Sequence, residues 1–244
     1  MKSHLTRIEV TLALVAVVVL LGVAIAFGHN PLRSIDAGVL NWMVDHRSSG
    51  VTSAATMMTD LFAPLWTAIW TFSAAAVLVA VDRTLIRAIG LLGTVAFAGA
   101  MCEVIKLAVD RLRPPEFDQV ASPELAMSFP SGHVTGAAAL LIGLAVIATT
   151  TARSRTRRWV VSAAVIVATC VALTRLYLGA HWFSDVAAAT TLAVAAVVAV
   201  PPAVAFGLGR ASRHVPIGWH RLLAPRPDAE DARRAGTVPC RQDG

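Results

Sequence analysis

The sequence predicts an all-α protein, a bundle of six transmembrane helices. Of 244 residues, 56% are hydrophobic and only 15% are charged, against roughly 25% charged in a soluble domain. The charges fall between long apolar runs. Those runs are continuously apolar and do not alternate with period two, as the strands of a membrane barrel do. The mean hydropathy of +0.67 excludes disorder of the whole chain, which needs low hydrophobicity and high charge.

About 18 uncharged apolar residues suffice to cross the hydrocarbon core. Residues 10–32, 61–81, 134–152 and 186–209 carry no charged side chain. Two shorter runs, 88–102 and 159–174, reach spanning length by taking in Glu103 and Arg175. The expected spans are therefore 10–30, 61–81, 86–106, 133–152, 159–177 and 184–208. They form one membrane domain over 1–209, and the arginine-rich stretch 210–244 is expected to be a disordered cytoplasmic tail. Lys2, Arg7 and Ala24-Ile25-Ala26 resemble a secretory signal. The apolar run exceeds the roughly 7–15 residues usual there, which favours a retained first helix.

Charge sets the orientation. With six spans, both termini share a side with the loops after the second and fourth helices. That side holds 15 of the 21 Lys and Arg, including Arg153, Arg155, Arg157 and Arg158 in one short loop. Arg33, Arg47, Lys106, Arg111, Arg113 and Arg175 lie opposite. The positive-inside rule then makes the termini cytoplasmic. The formal net charge of +6 reads as topology and attraction to anionic lipid headgroups, not nucleic-acid binding. Cys102 and Cys170 lie in apolar runs and Cys240 in the polar tail, so neither a disulfide framework nor a zinc spacing is present.

Three of the outer cations stand at the expected helix ends. Lys106 closes the third span, Arg113 precedes the helix-stopping Pro114-Pro115, and Arg175 closes the fifth span. A snorkelling side chain at a helix end needs no function, but these three have company. Pro130-Ser131-Gly132-His133 opens the fourth helix, with Ser131 expected as its N-cap. Gly132 admits a ligand close to the backbone, and the free N–H groups form an anion site. His181 and Asp185, four residues apart, open the sixth helix and are expected on one face, the carboxylate orienting the imidazole. The alternative, a metal bound by His133, His181 and Asp185, would set the ion beside three positive charges. Glu103 is placed to pair with Lys106 or Arg175. All these groups fall at the extracytoplasmic ends of helices three to six.

The pattern Lys106-x6-Arg113-Pro114, Pro130-Ser131-Gly132-His133 and Arg175-x5-His181-x3-Asp185 resembles the three-part signature of the type 2 phosphatidic acid phosphatase superfamily. That superfamily includes bacterial lipid phosphatases, acid phosphatases and vanadium haloperoxidases. The motifs cover about a third of the chain, from 106 to 185, and depart from the usual pattern at Thr174, where Ser is common. The resemblance implies catalysis by His181 as nucleophile, Asp185 as its orienting partner and His133 as general acid and base. Lys106, Arg113, Ser131, Gly132 and Arg175 would bind the phosphate, with no metal and no cofactor. It also implies a lipid phosphate as substrate: a polyprenyl diphosphate such as undecaprenyl diphosphate, phosphatidylglycerophosphate, phosphatidic acid or diacylglycerol diphosphate. The loop 115–129 borders the entrance, and its Glu116, Asp118 and Glu124 read more readily as solvated loop charges than as substrate filters. A non-catalytic transporter or flippase of phosphorylated lipids is the alternative reading, and oligomeric state is left open. With Asp185 and the cations pushing the two histidines in opposite senses, the rate is expected to be bell-shaped in pH.

The orientation is directly testable. In intact cells, an external thiol reagent is expected to label a cysteine introduced at Val120 and to spare one introduced at Thr156. The reverse pattern inverts the topology.

Overall fold

The computed structural model describes residues 2–120 and 127–212, with side chains from residue 6 onward. The tail beyond 212, with Cys240, and the loop residue Glu124 lie outside the described residues. Among the described residues there are eight α-helices and no strand. They are α1 (Lys2–Ala26), α2 (Arg33–Asp45), α3 (Ser49–Leu61), α4 (Pro64–Asp82), α5 (Ile86–Val109), α6 (Gly132–Ala148), α7 (Ser154–Tyr177) and α8 (Phe183–Ala211), with a 3₁₀ turn at Glu116–Asp118.

Six of the helices stand where six spans are expected. Five of them, α1, α4, α5, α7 and α8, are long and apolar enough to cross a membrane. The sixth, α6, has 17 residues and is about 25 Å long at 1.5 Å per residue. It is the central helix, with Val134, Ala137, Ala138, Ala139 and Leu140 all buried, so little of it has to match the lipid. Around it Ala98 of α5 and Ala193 and Ala196 of α8 are fully buried in one cluster with Ala138 and Ala139. Small residues let membrane helices approach closely, which is where their packing energy comes from. Gly22 does the same for α1: a Cβ there would meet Val109 at 3.0 Å and the buried Phe129 at 3.2 Å.

One feature departs from the expectation. The stretch after α1, which has no run of spanning length, folds into α2 and α3. Val39 and Met43 of α2 pack on Val134, Ala172, Leu176 and Ala189, so the pair covers one end of the bundle. Their outward Ile35, Trp42, Val51 and Met57 are exposed, as suits helices lying at a membrane interface. The third expected span, 86–106, is α5, which ends at Val109 with Asp110 in the left-handed region at φ 44°. Beyond it, residues 111–115 cross the end of the bundle, taking Arg111 and Arg113 with them.

The covering segment is pinned by Arg47, which donates from Nε to the Tyr177 carbonyl at 3.0 Å and from Nη2 to the Asp118 carbonyl at 2.7 Å. Gly179 makes room for this contact. It sits at φ +69°, and a Cβ would collide with the Asp118 carbonyl and approach Arg47 Nη2 to 2.9 Å. The Gly179→Ala variant is expected to lose about 1–3 kcal/mol of stability, read as a lower Tm of the purified protein in detergent. An unchanged Tm would show that the pin contributes nothing.

Candidate active site

The three sequence motifs meet at the end of the bundle covered by α2 and α3. Motif one meets motif two where Lys106 Nζ lies 3.1 Å from the position a Gly132 Cβ would take, a tight approach that a larger residue would push back. Motif one meets motif three through Arg113 Nη1, 2.8 Å from the Ala180 carbonyl and 3.0 Å from His181 Nε2. Motif two meets motif three where the Ser131 N–H donates to the Asp185 carbonyl at 3.3 Å. Lys106 is braced by Glu103 at 2.8 Å, the first of the two pairings open to that carboxylate. His133 is half-buried in the first turn of α6.

His181 does not sit on the helix. α8 begins at Phe183 with Trp182 as N-cap, so His181 belongs to the preceding turn, and its ring reaches Asp185 from outside. Nδ1 stands 3.5 Å from Asp185 Oδ2 and 3.4 Å from Ser128 Oγ, and Ser128 in turn donates to Asp185 Oδ2. A proton on Nδ1 is thereby held by Asp185 directly or through the Ser128 hydroxyl. That tautomer leaves the Nε2 lone pair on the side of Arg113. Asp185 Oδ2 also accepts the Trp182 N–H at 2.9 Å, capping α8, while Oδ1 accepts Arg111 Nη1 at 2.5 Å.

The residues expected to bind the phosphate are held as follows. Arg175 is 2% exposed and donates from Nη1 to Thr59 Oγ1 of α3 at 3.1 Å. Ser131 occupies the N-cap position of α6, yet its side chain makes no capping bond. Its Oγ is fully buried and has no hydrogen-bond partner among the described residues. Buried hydroxyls are seldom left so. Thr174, the departure from the motif, donates its hydroxyl back to the Val171 carbonyl at 2.7 Å and is turned away from the cluster.

Sequence reasoning missed Asp36, Thr59, Ser128 and Ser184, and it counted Arg111 only as an outer charge. Asp36 is paired with Arg111 at 2.7 Å. Ser128 could have been suspected from its place two residues before Pro130. Nothing in the sequence links residue 36 to residue 111, or residue 59 to residue 175.

Burial pushes the His181 imidazole down to about 4, with Asp185 opposing and Arg113 and Arg175 reinforcing. The expected contest between Asp185 and the cations is thus outweighed by desolvation, which disfavours the charged ring.

One end of this helical membrane bundle gathers Lys106, Arg113, Arg175, the His181 imidazole and the unbonded Ser131 hydroxyl. The chain belongs to the PAP2 superfamily, whose model matches residues 87–206. It is a multi-pass membrane protein by its apolar helices. Its fold is similar to a crystal structure described as the first transmembrane PAP2 type phosphatidylglycerolphosphate phosphatase from Bacillus subtilis. That alignment has a TM-score of 0.71 and 23% identity, and covers 79% of this chain and 94% of that one. No curated protein matches the sequence.

Because its pKa is lowered, His181 stays neutral as pH falls from the ordinary histidine value of about 6.5 to about 4. An imidazole ¹⁵N NMR titration in detergent is expected to place its midpoint near 4. A midpoint near the ordinary value would mean that the ring is solvated.

Proposed function

We propose that the protein is an integral-membrane lipid phosphatase that hydrolyses a phosphomonoester or diphosphate on a lipid through a phosphohistidine. The observation that carries this reading is the His181 ring, held at Nδ1 by Asp185 and Ser128 and left neutral with Nε2 toward Arg113. In the first step Nε2 attacks phosphorus as the bond from phosphorus to the lipid oxygen breaks, and His133 gives that oxygen a proton. In the second step His133 takes a proton from water, the water oxygen bonds to phosphorus, and the P–N bond breaks to return His181. Arg113 exchanges its contact with Nε2 for a phosphate oxygen when substrate enters. Lys106, Arg175, the Ser131 hydroxyl and the Gly132 N–H hold the other oxygens, and positioning with charge stabilisation supplies most of the rate in phosphoryl transfer.

The substrate class follows from the setting. A phosphate site at the end of a membrane bundle suits a phosphate whose lipid tail stays in the bilayer, such as undecaprenyl diphosphate, phosphatidylglycerophosphate or phosphatidic acid. The cation bias puts the site outside a cell membrane and the termini in the cytoplasm, with 1–209 as the catalytic domain. Three fixed cations stand where a metal would otherwise neutralise charge, so the reaction proceeds without one. A transporter of phosphorylated lipids would need the cations but not the His181–Ser128–Asp185 arrangement.

Phosphate release from purified protein, measured against these lipids, tests the reading. The His181→Asn variant is expected to lose activity by several orders of magnitude and to leave no phosphorylated enzyme; a tenth of wild-type activity would overturn the mechanism. Chelators are expected to leave the rate intact and orthovanadate to inhibit competitively, since it resembles the in-line transition state. Activity lost to a chelator and restored by Mg²⁺ or Zn²⁺ would make the protein a metalloenzyme.

A further inference from the structure

Asp36 lies on α2, outside the segment 87–206 that matches the family, and is 2% exposed. Its Oδ1 accepts the Ser184 N–H at 2.8 Å. Its Oδ2 accepts the Ser184 hydroxyl at 2.7 Å, Asn30 Nδ2 at 2.7 Å and Arg111 Nη2 at 2.7 Å. Arg111 therefore bridges two buried carboxylates. Its Nη1 serves Asp185 Oδ1 at 2.5 Å and Ser184 Oγ at 2.6 Å, while Nη2 serves Asp36. The guanidinium also lies over the Trp182 ring, 5.4 Å from its centroid.

A cation in this place carries a hazard. An incoming phosphate competes with Asp185 for Arg111, and a guanidinium that turned to the phosphate would release the carboxylate that orients His181. Charge-assisted bonds from both Nη atoms to two carboxylates in a low-dielectric setting prevent the turn. Asp185 alone could not, because a side chain anchored at one Nη can pivot about it.

We infer that Asp36 is a positioning residue, which through Arg111 locks the Asp185 carboxylate and with it the attacking orientation of the His181 ring. This role rests on the reading of His181 as the nucleophile. It assigns α2, a part of the chain beyond the family match, to the reaction.

The test uses the full-length protein in detergent with whichever of phosphatidic acid, phosphatidylglycerophosphate or undecaprenyl diphosphate the wild type hydrolyses. The Asp36→Asn variant is expected to lower kcat on the order of 10–100-fold, the cost of a small misplacement at a reacting group, with KM changed less than about threefold. Asp36→Glu, which keeps the charge, should recover most of the loss. Arg111→Lys keeps the charge but not the two-armed geometry, so it should lose kcat to a similar extent. Adding Asp36→Asn to Arg111→Lys should then cost little more, because both act through one contact. Wild-type kcat in Asp36→Asn, or losses that multiply in the double variant, would overturn the inference. If Asp36→Asn does not fold, Arg111→Lys decides: wild-type kcat there overturns the proposal, and a kcat loss at constant KM that Asp36→Glu does not share supports it. His181→Asn separates the two levels. Activity in that variant removes the nucleophile reading, whereas an inactive His181→Asn beside a fully active Asp36→Asn removes only the role of Asp36.

Discussion

Asp185 is a carboxylate with no exposed surface, and an unpaired charge so placed would cost several kcal/mol. The end of the bundle is arranged around meeting that requirement. Donors reach it from Ser128 ahead of α6, from Arg111 beyond α5, and from the Trp182 backbone at the start of α8. Each is set by where a helix begins or ends. Remove the carboxylate and Arg111 becomes a half-paired buried cation, Ser128 loses its acceptor, and the ring of His181 has nothing to hold its proton in place.

The helical framework makes this convergence possible. Alanines between α5, α6 and α8 bring three backbones together, so that their ends fall within side-chain reach of one another. The end of α5 at Val109 frees the crossing segment that carries both arginines. The short α6 starts at Gly132, beneath the ammonium of Lys106. Packing in the apolar layer thus determines which polar groups can meet at its edge.

Much of this was legible in the sequence, for specific reasons. Uncharged runs mark helices because lipid tolerates little else, so six positions could be named. Lys106, Arg113, Ser131, Gly132, Arg175, His181 and Asp185 were recognisable because their spacing is local to helix ends, and the structure brings them to one region. The details that failed depend on contacts distant in sequence. His181 looked helical from its four-residue offset, but the N-terminal turn of α8 lets Asp185 reach back to it. The N-cap of α6 was correctly placed at Ser131, yet its hydroxyl is not spent on the helix. Desolvation of His181 was invisible because its burial depends on residues distant in sequence, Arg113 and Ser128 among them.

The side chains of Thr59 and Asp36 have a consequence for how such proteins are compared. Thr59 bonds the signature residue Arg175, and Asp36 reaches the signature residue Asp185 through Arg111, yet both lie upstream of the segment 87–206 that matches the family. The shared segment holds the signature residues, and the upstream short helices α2 and α3 hold side chains that bond to them. Two relatives could thus share every signature residue and still differ in how rigidly those residues are held. A fragment cut at the boundary of the shared segment would keep the whole motif and lose both of these contacts.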